Sequence, residues 1–281
     1  MSSLNMPGFS LTLLLLPPEG DTSAPSATQI LSLLDDKPNA PGWKWSSATP
    51  PASKEARIIE KTTFAEQQSE PRILKAENPG AFVEGIRQAA KALTAAEPEI
   101  TRMDLIAGDG DCGLTLKAGA DAVLKKIADG VIRGDDVAGS VFAISQISEE
   151  VMGGTSGALY SIFFSGLSQS LQVTGDDTVV ASTWARALKS ALDNLYTYTR
   201  ARPPSRTLVD PLSAFISTFS SSDGKNLQDA VQAASQAAEA TKDLEAKAGR
   251  SAYVEGDKLK QEQIPDPGAW GVRTILENIT N

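Results

Sequence analysis

From residue 80 to the end of the chain, apolar side chains return every three to four positions, and this period dictates helix rather than strand. Phe82, Ile86, Ala89 and Leu93 form one stripe over residues 81–96, and Leu116, Ala120, Val123 and Ile127 form another over 114–128. The same period recurs over 136–152, 156–171, 177–200, 208–219, 226–248 and 267–279, which makes eight segments. Helix-ending residues stand between them: Gly130, Gly153-Gly154, Gly175, Pro203-Pro204, Gly224 and Pro265. Alternating strand patterns are nearly absent from this region, and its abundant alanine suits close helix–helix contact. An all-α domain over residues 80–281 is the expected architecture.

The residues before it have a different character. Residues 7–16 read as one strand, bounded by Pro17-Pro18-Glu19-Gly20, and Thr28 to Asp35 as a short helix. A lone strand and a lone helix cannot bury a core, so residues 1–36 look like the end of a larger domain. Residues 37–79 carry Pro38, Pro41, Pro50, Pro51 and Pro71 among Ser, Ala and charge, the composition of a linker. Trp43 and Trp45 interrupt that composition and are expected to cap a hydrophobic edge.

Composition narrows the chemistry. The chain has 281 residues and no histidine. That excludes a Ser-His-Asp triad, a Cys-His pair, a His-ligated zinc and a phosphohistidine within these residues. A general base would have to be a carboxylate, Lys, Tyr or a group from another chain. One cysteine, Cys112, excludes an intrachain disulfide. The net charge of −9 provides no basic stripe for nucleic acid. No apolar run reaches the ~20 residues of a membrane-spanning helix, and Leu11–Leu16 lacks the flanks of a signal peptide. Together these features favour a cytoplasmic protein.

The densest chemical signal is Asp104-Leu-Ile-Ala-Gly108-Asp109-Gly110-Asp111-Cys112-Gly113. Asp109 and Asp111 are two apart, so in an extended loop they project to the same side. The glycines permit the loop to curl around an ion, and hard oxygen ligands suit magnesium or calcium. A helix begins directly afterwards at Leu114, and its free N–H groups favour phosphate. The segment also satisfies the dinucleotide fingerprint G-x-G-x-x-G. Two carboxylates would repel a pyrophosphate there unless a metal intervened, and the βαβ context is missing. An EF-hand fails on register, because the twelfth position counted from Asp109 is Ala120 rather than glutamate. No Walker A loop occurs. A solvated helix-capping turn is the plainer alternative, although three aspartates with three glycines are dense for one.

Two further motifs are ambiguous on their own. Met152-Gly-Gly-Thr155-Ser156-Gly-Ala-Leu-Tyr160 is either a helix N-cap with small packing residues or a second phosphate cradle of N–H and O–H donors. In Gly249-Arg250-Ser-Ala-Tyr253, Arg250 is either a surface charge or a planar cation facing a phosphate or base. Asp266-Pro267-Gly268-Ala-Trp270 fits a helix start.

As an ordered set, GDGDCG, MGGTSGALY, GRSAY and DPGAWG resemble the nucleotide-binding L domain of dihydroxyacetone kinases over residues ~80–281. The N-terminal MPGFSLTLLLLP and LLDDKPNAPGW resemble the last strand of the substrate-binding K domain and the linker of the single-chain, ATP-dependent kinases. The resemblance implies an eight-helix antiparallel barrel with ATP or ADP at one end. Carried over, Asp104, Asp109 and Asp111 would coordinate two magnesium ions. Cys112, Gly113, Leu114 and Thr115 would line the phosphates, and Thr155 and Ser156 would contact them. Thr207 and Leu208 would touch the nucleotide, and Arg250 with Asp266, Pro267 and Gly268 would close the site. Cys112 stands where the family commonly has histidine. The family holds dihydroxyacetone covalently through a K-domain histidine, and these residues contain none. The expectation is therefore the ATP–magnesium half of a kinase for dihydroxyacetone or glyceraldehyde, partnered by a separate K domain, with a homodimer left open. The alternatives are an ADP-holding subunit of the phosphoenolpyruvate-dependent branch, which the N-terminal remnant argues against, and a non-catalytic nucleotide-binding remnant.

Overall fold

A computed structural model describes residues 14–18, 25–36, 73–173, 177–253, 259 and 261–279. They fall in two compact units, one within Met6–Gln68 and the other within Ser69–Asn281. In the first, helix α1 (Ala27–Leu34) starts on a capping box: Ser26 Oγ accepts from Gln29 N, and Gln29 Oε1 accepts from Ser26 N. None of its residues is buried. Residues 14–16 of the expected strand are irregular and exposed, and residues 7–13 lie outside the described residues. A strand exists only through a ladder partner, and no described strand pairs with this segment. Trp43, Trp45 and most of the expected linker also lie outside the described residues.

The second unit is built from α2 (Pro79–Ala107), α3 (Cys112–Ala128), α4 (Val137–Ile147), α5 (Gly154–Gln172), α6 (Ala181–Tyr198), α7 (Val209–Ser221), α8 (Leu227–Ala240) and α9 (Pro267–Asn278). A π-turn, Ser148–Met152, joins α4 to α5. A parallel pair, β1 (Lys75–Ala76) with β2 (Thr178–Val179), ties the entry of α2 to the entry of α6. The eight expected helical segments each correspond to one of these helices, with shifted ends that have local causes.

Helix α2 runs eleven residues beyond residue 96 (96 to 107) and passes through Pro98. Proline inside a helix costs about 3 kcal/mol, but Ile100, Met103 and Ala107 continue the buried stripe of Ile86, Ala89 and Leu93. Pro98 itself points to solvent, so the stripe stays intact. Helix α6 starts four residues later than residue 177 because Thr178 and Val179 are taken by the strand pair. Helix α8 stops at Ala240 rather than 248. Thr241 is buried there, donates from Oγ1 to Ala238 O at 2.6 Å and accepts from Asp266 N at 2.8 Å. That bond joins the end of α8 to the start of α9.

Each helix packs on the next around the unit, with the π-turn bridging α3 and α4, and α9 returns to α2. Short connections make the neighbours antiparallel, and the ring closes into a barrel. Its centre holds a cavity of about 620 Å³ lined by apolar side chains such as Ile86, Leu93, Phe163, Leu212 and Leu276. Among the described residues, no helix is long and apolar enough to cross a membrane.

Candidate metal and phosphate site

The last turn of α2 and the first turn of α3 meet in the GDGDCG loop. Asp104 belongs to α2 rather than to the loop, and it is buried at 4% exposure. Its Oδ2 accepts from Cys112 N at 2.9 Å, and its carbonyl accepts from Gly108 N at 2.7 Å. One residue thus closes the end of α2 and fixes the start of α3. The loop between is not extended, as the two-residue spacing suggested. Gly110 adopts φ 82° and Asp111 is right-handed, so a tight turn replaces a strand-like segment. The turn still brings the oxygens together: one carboxylate oxygen from each of Asp104, Asp109 and Asp111 falls within a common 4.8 Å. Two of these carboxylates are exposed and one is buried. Three hard anionic oxygens at that spacing fit a divalent cation such as magnesium.

Helix α3 begins at Cys112, two residues earlier than expected, so Cys112, Gly113 and Leu114 form its first turn. By helix geometry the N–H groups of Gly113 and Leu114 have no intrahelical acceptor. Thr115 N already returns to Asp111 O. The Cys112 thiol is pushed far up by burial, and next by the carboxylates of Asp104, Asp266, Asp111 and Asp109. It stays protonated and offers no thiolate nucleophile. Gly113 lies flat against α2. A Cβ there would stand 2.5 Å from Glu97 O and 2.8 Å from Thr101 N, which are backbone atoms that cannot turn aside. Gly113→Ala should therefore cost about 2 kcal/mol by overpacking, visible as a lowered chemical-denaturation midpoint at unchanged m-value.

Helix α5 begins at Gly154, so Thr155 and Ser156 sit inside its first turn rather than capping it. Gly153 is the N-cap at φ 68° and makes no side-chain cap bond. Tyr160, one turn further on, has a buried hydroxyl without a hydrogen-bond partner among the described residues. Burial raises its pKa most, and Cys112 and Asp266 add to the shift.

The C-terminal segments converge on the same end. Thr207 and Leu208 precede α7 in a turn held by Asp210, which accepts from Ser205 N, Ser205 Oγ, Thr207 N and Thr207 Oγ1 at 2.8 to 3.3 Å. Gly268 packs on Leu208, 3.5 Å from a built Cβ to Leu208 Cβ, and Gly249 (φ 76°) lies 3.8 Å from Thr207 Cγ2 in the same sense. Asp266 N-caps α9 through Ala269 N at 2.9 Å, with Pro267 in the first turn as expected. Burial raises the Asp266 carboxyl to about 6, opposed by the Ala269 bond and Arg206 and assisted by Asp210 and Asp104. Arg250 begins a 3-10 turn, Arg250–Tyr253, and its side chain lies outside the described residues. Asp104, Asp109, Asp111, Cys112, Gly113, Leu114 and Thr115 form one cluster. Asp266 lies close enough for its carboxylate to act on Cys112 and to feel Asp104, and Leu208 packs on Gly268 beside it.

Sequence reasoning passed over Arg206, Asp210 and Tyr160. Asp210 followed by Pro211 carried the signal of a helix start, but not of a four-donor acceptor. Nothing in the sequence marks Arg206 as buried.

A family profile described as the DAK2 domain matches residues 106–281, more than half of the chain. The chain belongs to the DAK2 domain family. Asp104 lies two residues before the matched segment of this DAK2 domain. A dihydroxyacetone kinase of Komagataella pastoris is 38% identical over 288 residues, covering 100% of this chain and 46% of that protein. One of Pichia angusta is 36% identical, covering 98% and 46%. The chain thus spans about half the length of the curated relatives it matches. The crystal structure of the dihydroxyacetone kinase of C. freundii in native form superposes with a TM-score of 0.61 at 23% identity, covering 89% of this chain and 42% of that one. Its complex with AMP-PNP and Mg2+ gives 0.59 at 22%. At that identity the likeness is one of fold, a helical barrel.

Proposed function

We propose that this DAK2 domain binds ATP with magnesium and presents the γ-phosphate for transfer to dihydroxyacetone or glyceraldehyde. The observation that carries this reading is the convergence of Asp104, Asp109 and Asp111 within 4.8 Å at the N-terminus of α3. These three would hold two magnesium ions, which when bound would offset phosphate charge and bridge it to the acidic loop. The first-turn N–H groups of α3 and the hydroxyls of Thr155 and Ser156 would donate to phosphate oxygens. Thr207, Leu208, Arg250 and the Asp266-Pro267-Gly268 turn would enclose the nucleotide. The C. freundii kinase solved with AMP-PNP and Mg2+ supports this by its shared barrel.

The acceptor would be held elsewhere. The chain contains no histidine, so the covalent hold on dihydroxyacetone expected in this family would come from a K domain outside these residues. In this reading residues 1–36 are the end of such a domain and 37–79 a linker, within a cytoplasmic enzyme. Support comes from the yeast relatives, whose similarity extends over the whole chain and not the helical barrel alone.

Calorimetric titration with ATP tests the nucleotide role. Binding that requires magnesium and is lost with a chelator is the expected result. ADP that co-purifies and never exchanges with ATP would instead favour the phosphoenolpyruvate-dependent branch. No binding at all would overturn the nucleotide role, and binding without transfer to any acceptor would favour the non-catalytic nucleotide-binding remnant.

A further inference from the structure

Arg206 is the largest fully buried side chain among the described residues, at 0% exposure. Its backbone is left-handed at φ 58°, a conformation that non-glycine residues avoid unless the surroundings impose it. Its Nη2 donates to Ile264 O at 2.8 Å, across 58 residues of sequence. Its Nη1 lies 3.9 Å from Asp266 Oδ2, while Nε and Nη1 have no hydrogen-bond partner among the described residues. Burying a guanidinium with donors unused is costly, and burial does lower its pKa. An apolar residue would fill the same space without that cost. The residue on its C-terminal side, Thr207, is locked by Asp210. The residues it reaches, Ile264 and Asp266, open the turn that leads into α9.

We infer that Arg206 is a positioning residue: it ties the Thr207–Leu208 turn to the Asp266–Gly268 turn, so that the two segments enclosing the nucleotide move as one piece. This rests on the nucleotide reading of those segments. Two nitrogens of one planar fork are required, because one holds the Ile264 carbonyl while the other faces Asp266. A lysine keeps the charge but offers a single nitrogen. Asp266 also caps α9 through its other oxygen, Oδ1. Arg206 and Asp266 therefore act on the same turn rather than independently.

The test uses the full chain, with ATP and magnesium as the probe. Arg206→Lys and Asp266→Asn should each weaken ATP binding by about tenfold or more, the range seen when supporting contacts around a site are removed. The double variant should bind no more weakly than the worse single variant, because both changes release one turn. Amide hydrogen exchange without nucleotide should rise in Arg206→Lys over both 205–210 and 264–268. Arg206→Met should weaken ATP binding at least as much as Arg206→Lys; should it fail to fold, Arg206→Lys retains the buried charge and still reads the tie. Losses that multiply in the double variant would overturn the inference, as would an Arg206→Lys protein with a lowered melting temperature and unchanged ATP affinity. A wild-type chain that binds no ATP would overturn the nucleotide reading and the positioning role together; wild-type binding with an unaffected Arg206→Lys would overturn the positioning role alone.

Discussion

Asp109→Ala should abolish magnesium-dependent ATP binding, with a loss of at least about 100-fold, or about 2.8 kcal/mol. Asp109 is exposed at the tip of the loop, so its removal leaves the barrel core untouched. The two effects of the substitution have opposite sign. In chelator, three carboxylates within 4.8 Å repel one another, and removing one relieves that repulsion. The melting temperature in chelator should hold or rise. With saturating ATP and magnesium, the wild-type chain gains RT ln(1 + [L]/Kd), about 2.7 kcal/mol at 100 Kd. The variant should lose that gain. Asp104→Ala would lose binding as well, but it also strands Cys112 N and so lowers stability under both conditions. Paired melting curves with and without ATP–magnesium separate the two. An Asp109→Ala protein that is still stabilised by ATP–magnesium would remove the metal role from this carboxylate.

Asp210→Ala should produce the largest loss of stability from a single polar group in the barrel. Its carboxylate accepts from two backbone N–H groups and two hydroxyls in the Ser205–Thr207 turn. Alanine leaves Ser205 N and Thr207 N without these acceptors; an orphan costs about 1–3 kcal/mol, with the upper end reserved for the buried Ser205 N and the lower for the half-buried Thr207 N. The hydroxyls can rotate to other partners, and Ser205 Oγ already meets Thr207 Oγ1 at 2.9 Å. A net loss of about 3 kcal/mol follows, which lowers the melting temperature by about 6–12 °C at 2–4 °C per kcal/mol for a domain of this size. Asp210→Asn should fall between. Its amide oxygen can take the place of Oδ2 and keep three donors, but its NH2 then faces Ser205 N. An Asp210→Ala midpoint equal to wild type would mean that the turn finds other acceptors.

Much of the barrel was legible because each helix carries its own stripe and its own stop. Leu116, Ala120, Val123 and Ile127 announce α3, and all four are buried in the structure. Asp266-Pro267 announces α9 because an N-cap followed by proline is a local arrangement. The Asp104–Asp109–Asp111 cluster was legible for the same reason, since eight consecutive positions contain it. The features that escaped depend on distant partners. Pro98 argues locally for a helix end, and only the buried contacts of Ile100 and Met103 carry α2 past it. Thr178 and Val179 leave the helical pattern because Lys75 and Ala76, about a hundred residues earlier, offer a ladder. The burial of Arg206 depends on Ile264 and Asp266, and no window of sequence holds all three.

The cluster at the start of α3 also accounts for the acidic loop that first excluded a bare pyrophosphate site. With net charge −9 and three carboxylates at the point of approach, phosphate needs a cation between. In the proposed reading, N–H groups and hydroxyls of the barrel would then contact the phosphates, and the reacting alcohol would come from outside these residues.

Reconstitution tests that division of labour most directly. The chain is mixed with a purified histidine-bearing K domain of a dihydroxyacetone kinase, ATP, magnesium and dihydroxyacetone, and phosphorylated product is measured. The account predicts product that requires both proteins and magnesium and that disappears with Asp109→Ala. A chain that binds ATP with magnesium yet yields no product with any active K-domain partner would contradict it.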